Sequence, residues 1–325
     1  MAEVDTSRET RRKAWEKRQV KILESRQRWK RESKEHPSSI RRPVIDLVPR
    51  YPKEGTWIGS NAYSKIKVLS EWRTLERVLN GCSLSRYGDG EIKHMDGKRN
   101  VSQIYHSDLS RALNDVFDSR IRNHLVAIPN VYNNRSFESG VQEKYVDSMR
   151  RRFGKRADPK RTYGSSYVTR ADLCAYLDWP SYWAVVSELW MDRDVVLVRG
   201  NPKRANPVGM MDNARDLMEI EIPNRNAWSC YREILRECLR MSSFCRYLIC
   251  AGPTATVLAY DLAVRGRHAV DIGHLGLFYG RWVGGLAFTT PKDIYDDKKS
   301  QEGEETTGKD DVIQDREVMV HAKAE

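Results

Sequence analysis

The sequence predicts an α/β fold, a mostly parallel sheet covered by helices on both faces. The first observation behind this prediction is the rhythm of the chain, in which short apolar runs typical of buried strands alternate with longer helical patterns. The second is size, because 325 residues are enough to bury a sizeable core. In open α/β sheets ligands bind beyond the carboxyl ends of the strands, so we expect functional residues directly after each strand.

Five apolar runs are predicted to be strands, and a helical pattern stands beside each of them. The predicted strands are residues 82–87, 124–129, 194–200, 246–252 and 268–273. The predicted helices are residues 63–81, 107–123, 181–191, 230–243 and 254–266. Parallel strands need crossover connections of this length, usually helical, which is why the sheet is expected to be mostly parallel.

Composition favours a chain that stays in the cytoplasm. Apolar residues make up 40% of the chain and charged residues 31%, and there is no run of 18 apolar residues that would indicate a membrane span. The first residues lack the apolar segment of a secretory signal. The six cysteines are scattered, without a C-x-x-C pair, so we expect reduced thiols.

Charge divides the chain into three segments, although the net charge is +11 overall. Residues 1–42 contain 14 Lys or Arg against 7 Asp or Glu, whereas residues 291–325 contain 6 against 11. We therefore predict a basic helical extension at 1–42, one α/β domain at 43–290, and an acidic, disordered tail at 291–325.

The basic extension carries a thin apolar stripe formed by Trp15, Ile22 and Trp29, which fall seven residues apart. Such a helix can pack its stripe on the body of the protein or on a second subunit, which would make a homodimer. It can also anchor the chain to an anionic surface or act as a nucleic-acid arm. The sequence does not choose among these alternatives.

The first predicted strand ends in Gly88-Asp89-Gly90-Glu91. From an extended or turning backbone, two carboxylates separated by one residue can point the same way and form a site for Mg²⁺ or Mn²⁺. The glycines would let the backbone approach a ligand closely. The alternative is an ordinary turn, because Asp-Gly is among the commonest turn dipeptides.

The later strand ends carry further candidates. Gly252-Pro253-Thr254 opens a helix, and the N–H groups at a helix start can bind a diphosphate. Asp271, near the end of the last predicted strand, and His274, just after it, offer a general base, a phosphate contact or a metal ligand. Each feature also occurs in ordinary strand-to-helix turns.

A further loop, residues 223–228, combines amide groups with an aromatic side chain. The amide groups of Asn224 and Asn226 and the aromatic face of Trp228 could recognise a base, and Asn226 is the donor-binding candidate among them. Pro-Asn, with which the loop begins, is equally a turn signal.

Together these segments resemble one family. The block from residue 222 to 279, with G-P-T-A-T-V-L-A-Y-D-L and D-I-G-H, and the R-Y-G-D-G-E segment at 86–91 are similar to the glycosyltransferases of the GT-D fold, a family first catalogued as a domain of unknown function. The resemblance covers roughly residues 65–280. It implies a Rossmann-like sheet of the GT-D type within the domain at 43–290.

The chain departs from the family after the third predicted strand. There the family carries a Gly-x-Gly-Asn-Asp-like loop, but this chain has a loop about two residues longer that lacks the second glycine. The nearest counterparts are Arg204, Asp212 and Asn213, of which Arg204 is taken as a donor-binding candidate.

The resemblance implies transfer of a sugar from a nucleoside diphosphate donor, a UDP-sugar, to a hydroxyl of a protein or glycan acceptor. It further implies that Mn²⁺ or Mg²⁺ is held by Asp89 and Glu91, with Arg86 and the helix start taking up the remaining diphosphate charge. Asp271 or His274 would orient the donor or receive the acceptor proton.

An alternative from another class of protein stays open at this point. The basic extension at 1–42 would suit a nucleic-acid-binding protein, with the α/β body as a scaffold or as a metal-dependent phosphodiesterase. This alternative accounts for the charge of the extension, but it gives no reason for the two C-terminal motifs to occur together.

Overall fold

One nine-stranded sheet organises the part of the chain that the computed structural model describes, residues 66–100, 102–131, 143–170, 179–200, 209–283 and 318–322. In chain order the strands are β1 (Lys67–Val68), β2 (Ser83–Arg86), β3 (His124–Ile128), β4 (Thr162–Ser165), β5 (Asp194–Arg199), β6 (Asp216–Glu221), β7 (Arg246–Cys250), β8 (His268–Asp271) and β9 (Met319–Ala322). Their order across the sheet is β1-β4-β3-β2-β8-β7-β5-β6-β9. The first eight strands run parallel, and β9 alone is antiparallel, paired with β6 at the edge.

Helices cover both faces of the sheet. They are α1 (Glu71–Leu79), α2 (Asp89–Met95), α3 (Ser107–Asp118), α4 (Glu143–Gly154), α5 (Trp179–Val186), α6 (Tyr231–Arg240), α7 (Pro253–Val264) and α8 (Leu275–Val283). Leu84 and Leu197 of the strands share one core with α1, α5 and α8. Neighbouring strand residues such as Val198 point to the other face and pack with α6 and α7. This confirms the predicted α/β architecture, because alternate strand residues face opposite layers.

The five predicted strands are all present, each within its predicted range. Four strands were missed, because β1 has two residues and β4 reads Thr-Tyr-Gly-Ser, which is not an apolar run. The strands β6 and β9 lie at the far edge of the sheet, where polar residues alternate with apolar ones in β6. Propensity is a weak guide at such positions, since edge strands need less burial.

The helix predicted at 63–81 begins only at Glu71. Residues 67 and 68 pair with β4 instead, and the Ser70 side chain accepts a hydrogen bond from the Arg73 N–H and caps the helix. The helices α2, α4 and α8 were not predicted. Of these, α2 changes the interpretation of the site most, because it starts at Asp89.

The acidic tail was predicted to be disordered throughout 291–325, and this is wrong for residues 319–322, which form β9. The acidic residues of the tail lie mostly before this short segment, and its backbone completes the edge of β6 through pairs such as Ile220 with Val320. The predicted basic helix at 1–42 lies outside the described residues. No helix within the described ranges is long and apolar enough to span a membrane.

The five described cysteines form no disulfide with one another. Cys82 and Cys250 are partly buried, and burial raises the pKa of the thiols of Cys82 and Cys238. These thiols therefore act as small core residues rather than as nucleophiles.

The strand order places a ligand crevice of the kind found in open α/β sheets between the carboxyl ends of β2 and β8. The chain leaves β2 toward β3 on one side and leaves β8 toward β9 on the other side, so the outgoing connections diverge at this point of the sheet. Helix α7 packs across β2 and β8, and eight of its residues are buried, including Ala255 and Ala259. A helix buried on all sides is fixed in position, and α7 therefore places its first turn firmly at the crevice.

Candidate functional site

The D-G-E motif is the first turn of helix α2 rather than an extended or turning segment. Gly88 is the N-cap, so Asp89 and Glu91 stand at the first and third positions of the helix. Residues two apart on a helix point to different sides, unlike residues two apart on a strand. The expectation that both carboxylates share one direction because of an extended backbone is therefore wrong.

The two carboxylates have different partners. Glu91 Oε2 accepts a hydrogen bond of 2.7 Å from the Gly88 N–H, which caps the helix, and it turns toward the crevice. Asp89 Oδ2 pairs with Lys93 Nζ one turn further along, at 2.9 Å, and its side chain is 44% exposed. Glu91 is thus a fixed, inward carboxylate, whereas Asp89 is held outward by an ion pair.

Glu91 and Asp271 form a pair of neighbouring carboxyl groups at the crevice. Burial, followed by the negative charge of Asp271, raises the pKa of Glu91 to about 7. Burial raises the pKa of Asp271 to about 6, although the positive charge of Arg86 opposes the shift. Two carboxyl groups close enough for the charge of one to raise the pKa of the other make a site that favours a bound proton or cation.

Arg86 is held rigidly beneath Asp271. Its Nε donates to the Ser166 carbonyl at 3.0 Å, and its Nη1 lies 3.5 Å from Asp271 Oδ1. Gly273 has a φ of +50°, and a Cβ at this position would lie 2.0 Å from Arg86 Nη1. The Asp271–Gly273 turn therefore requires glycine for two reasons, the left-handed backbone and the space that the guanidinium occupies.

Helix α7 brings its amino terminus to the same crevice. Gly252 is the N-cap with a φ of +55°, and Pro253 takes the first helical position. Thr254 is fully buried, and its Oγ1 finds no hydrogen-bond partner among the described residues. An unpaired buried hydroxyl at a helix start fits the predicted anion site, because it offers a donor that the fold itself does not use.

Thr256 ties α7 to the two strands that flank the crevice. Its hydroxyl donates to the Arg86 carbonyl at 2.8 Å and lies 3.4 Å from Asp271 Oδ2. Its own carbonyl accepts a hydrogen bond of 2.6 Å from the Ser85 hydroxyl, which is in turn 2.8 Å from His124 Nε2. This buried network fixes the position of Asp271, and the sequence analysis did not find it, because Ser85 and Thr256 are ordinary residues of a strand and a helix.

Asn226 supports a neighbouring loop. It adopts a left-handed conformation with a φ of +57°, its N–H donates to the Ser102 carbonyl, and its Oδ1 accepts from the Ile104 N–H at 2.7 Å. Because Asn226 Oδ1 already accepts this hydrogen bond, it positions the segment at residues 102–104. Its predicted role as a direct donor contact stays a prediction for the remaining amide group.

The segment from Asn100 to Ile104 packs directly against the glycines of the site. A Cβ at Gly90 would lie 2.9 Å from Asn100 Nδ2, and one at Gly252 would lie 3.1 Å from Ser102 Oγ. These glycines thus allow the loop, as well as any ligand, to approach α2 and α7. Asn100 and Ser102 were missed, and no signal in a single sequence marks them.

The other residues predicted from the sequence lie at both edges of the sheet or outside the described residues. His274 is exposed at the carboxyl edge just before α8, and its carbonyl accepts from the Phe278 N–H. Arg204 lies outside the described residues. Asn213 binds the Trp190 indole N–H through Oδ1, and it stands before β6, as does Asp212. These last two residues are at the amino edge of the sheet, opposite the crevice.

The described residues contain no group of three or more His, Cys, Asp or Glu side chains arranged to hold a metal ion. Mg²⁺ and Mn²⁺ commonly use one or two protein carboxylates together with substrate phosphates and water. The adjacent carboxyl groups of Glu91 and Asp271, whose ionisation is suppressed, fit such a cation by their chemistry. Asp89 fits it only when its carboxylate leaves Lys93.

This arrangement defines a class, the doubly wound α/β proteins that bind their ligand in a crevice beyond the carboxyl ends of parallel strands. A family model described as "Glycosyltransferase GT-D fold" matches residues 84–289. The chain therefore belongs to the GT-D fold glycosyltransferase family, which confirms the family predicted from the sequence.

Individual proteins agree with this membership. A probable glycosyl transferase Gly of Streptococcus gordonii is 30% identical over 225 residues, which is 66% of this chain and 33% of the relative. Glycosyltransferase GlyD of Streptococcus pneumoniae serotype 4 is 27% identical over 269 residues, which is 77% of this chain and 31% of the relative. The chain thus spans about one third of the length of these curated relatives.

Solved structures agree in fold. A structure described as a new glycosyltransferase (DUF1792) from Streptococcus sanguinis is similar with a TM-score of 0.59 and 30% identity, covering 68% of this chain and 86% of that one. A second, described as the highly conserved domain of unknown function 1792 with a distinct glycosyltransferase fold, gives a TM-score of 0.60 and 28% identity over 69% and 84% of the two chains. These likenesses confirm the predicted GT-D type of sheet.

Proposed function

We propose that this chain transfers a sugar from a UDP-sugar to a hydroxyl of a protein or glycan acceptor, with the help of Mn²⁺ or Mg²⁺. Family membership supports sugar transfer. The observation that carries the finer proposal is the convergence of Glu91, Asp271 and the amino terminus of α7 at one crevice. A nucleoside diphosphate needs what this crevice offers, namely N–H donors for its phosphates and carboxylates for its metal ion.

Asp89 and Glu91 would hold the divalent ion at the start of α2, and Asp271 adds to the negative potential there. When bound, such an ion neutralises the charge that develops on the leaving diphosphate. The ion has to compete with Lys93 for Asp89 and with a proton for Glu91, since the pKa of Glu91 is raised to about 7. Metal binding should therefore weaken as the pH falls below 7.

The first turn of α7 binds the diphosphate. Its free N–H groups point out of the helix end, and the Thr254 hydroxyl adds one more donor. Gly252 permits close approach, because it has no side chain and its neighbour Ser102 is small. Arg86 contributes positive charge from beneath, and its contacts with Ser166 and Asp271 keep it in place before the donor arrives.

Asp271 is the residue best placed to take the proton from the acceptor hydroxyl. Its Oδ1 accepts the Gly273 N–H at 3.0 Å, and its Oδ2 faces Thr256, so the carboxyl group keeps one orientation. A pKa raised to about 6 leaves it mostly ionised at pH 7 and able to accept a proton. His274, three residues on and exposed, is the second candidate for this step.

The test measures UDP release and UDP binding with Mn²⁺ and a panel of UDP-sugars, in wild type, Asp89→Ala and Glu91→Gln. Glu91→Gln keeps an oxygen for the Gly88 N–H and removes only the charge, so the helix cap survives. We expect release to fall about 10²-fold or more in both variants, the scale of losing one stabilising group in an active site. Asp108→Ala is the matched control, because Asp108 also stands in the first turn of a helix and is 73% exposed.

Two results would count against the proposal. If UDP binds equally well without a divalent ion and in both variants, the metal role fails. If no UDP-sugar yields UDP in the wild type while another nucleotide sugar is consumed, the donor assignment fails and the family activity stands.

A further inference from the structure

Two large apolar side chains stand exposed beside the crevice. Ile104 and Tyr105 are each 44% exposed, in the loop that joins α2 to α3. The other exposed large apolar residues in the described part of the chain are Phe244 and Val264. Phe244 precedes β7 and Val264 ends α7, so both lie at the amino edge of the sheet. Only the 104–105 pair is therefore close to the chemistry.

The backbone before Tyr105 is fixed by hydrogen bonds. Asn100 Oδ1 accepts from the N–H groups of Ser102 and Gln103, which closes the loop on itself. The Asn226 side chain accepts from the Ile104 N–H at 2.7 Å, and Gln103 Oε1 accepts from a backbone N–H of the next loop at 3.2 Å. Tyr105 thus follows directly on a segment that is held in place, so that ordering it on binding costs little entropy.

One face of the Tyr105 ring is backed by His94. The two rings are nearly parallel, at 12°, with centroids 6.3 Å apart, and His94 is fully buried. His94 lies on α2, three residues after Glu91 and hence about 4.5 Å further along the helix axis. The same short helix therefore carries the carboxylate of the crevice and the support of the aromatic ring.

We infer that Tyr105, extended by Ile104, is the platform on which a sugar ring of a glycan acceptor stacks. The inference rests on the proposed function. A pyranose presents a face of C–H groups that packs on an aromatic ring, while its hydroxyls need polar partners around the rim. Tyrosine supplies both a flat apolar face and a hydroxyl at low conformational cost.

The position of the platform favours an acceptor sugar over the base of the donor. The diphosphate site at Gly252 and Glu91 lies at the strand ends, whereas Tyr105 stands on the loop that covers α2 and opens to solvent. A glycan acceptor extends away from the hydroxyl that reacts, so the sugar rings of its chain need a surface that is open to solvent.

A peptide acceptor fits this surface less well. Extended peptides bind through main-chain hydrogen bonds to an exposed backbone. Here the Ile104 N–H and the Ser102 carbonyl are already paired with Asn226.

The test compares Tyr105→Ala and Tyr105→Trp with wild type, using methyl glycosides of glucose, galactose and N-acetylglucosamine as acceptor probes. Tyr105→Ala is expected to raise the KM for the accepted glycoside about five- to tenfold, the scale of one lost stacking contact, and to abolish the glycoside signal in saturation-transfer NMR. Tyr105→Trp should keep both. UDP affinity and UDP release to water should not change. Phe244→Ala is the control, because Phe244 is 94% exposed at the opposite edge.

Each contrary outcome has a separate meaning. An unchanged glycoside KM and NMR signal in Tyr105→Ala would overturn the inference, as would a wild type that binds no glycoside but glycosylates a Ser- or Thr-containing peptide. A loss of UDP affinity in Tyr105→Ala would assign the ring to the base of the donor. Failure of the wild type to release UDP from any donor contradicts the proposed function, while the NMR comparison still tests the platform.

Discussion

At the scale of single residues, the D-G-E motif shows how much the local backbone matters. The residue types predicted a site with carboxylates, and Glu91 does face the crevice. The direction of each side chain depends on whether the backbone is extended or helical, and the dipeptide Asp-Gly is compatible with both. The hydrogen bond from Gly88 to Glu91 decides the matter in favour of a helix start.

Gly273 gives the sharpest prediction at this scale. Gly273→Ala forces a left-handed alanine and places its Cβ 2.0 Å from Arg86 Nη1, so the guanidinium has to move away from Asp271. We expect a loss of about 2–4 kcal/mol in the free energy of unfolding, since strain and a broken buried contact act together. Urea denaturation followed by circular dichroism measures it.

The matched control for this change is Gly266→Ala. Gly266 has a φ of +74°, but a Cβ there meets nothing within 4 Å. Its cost should be only about 1 kcal/mol, the conformational part alone. Equal losses in the two variants would show that Arg86 does not occupy the space above Gly273.

At the scale of elements, helix α7 determines where the site is. It follows β7, packs across β8 and β2, and is buried on nearly every side. This packing fixes the position of its amino terminus at the carboxyl ends of the strands. Sequence periodicity predicted this helix within a residue or two at each end, because Gly252 and Pro253 mark its start clearly. Its contacts with β2 through Thr256 could not be predicted, since they join residues about 170 positions apart.

Strand β9 is one of the strands that the sequence pattern did not predict, and truncation tests its contribution. Ending the chain after residue 317 removes β9 and leaves β6 as an unpaired edge. We expect a loss of about 1–2 kcal/mol in stability, together with self-association at high concentration, because open edges pair with other chains. Thermal unfolding and sedimentation velocity measure the two effects.

Ending the chain after residue 322 is the control, because it removes three residues and leaves β9 intact. If both truncations behave like the full chain, the pairing of β9 with β6 contributes nothing to stability.

At the scale of the whole molecule, the charge is distributed unevenly. Removal of residues 1–42 would lower the formal net charge from +11 to +4, whereas the residues that match the family begin at 84. The basic segment and the segment that matches the family therefore occupy different parts of the chain. The nucleic-acid alternative concerns the first part, and the sugar-transfer proposal concerns the second.

Deleting residues 1–42 should leave UDP release unchanged. Any binding of the full chain to duplex DNA should fall steeply with salt, because it depends on released counterions, and this dependence should vanish on deletion. A fluorescence-anisotropy titration from 50 to about 300 mM salt measures it. A steep salt dependence that survives deletion would place a nucleic-acid surface on the α/β body and favour the rival function.

The sequence by itself determined the α/β class, the five central strands and the family, and it supplied the candidate residues at the strand ends. This was possible because local patterns of apolar residues, glycine and proline predict buried strands and helix starts. The tertiary structure alone decided that Glu91 lies near Asp271, that Arg86 fills the space above Gly273, and that Asn226 holds the loop leading to Tyr105. These contacts join distant parts of the chain, and only the packing of the helices and loops on one sheet brings them together.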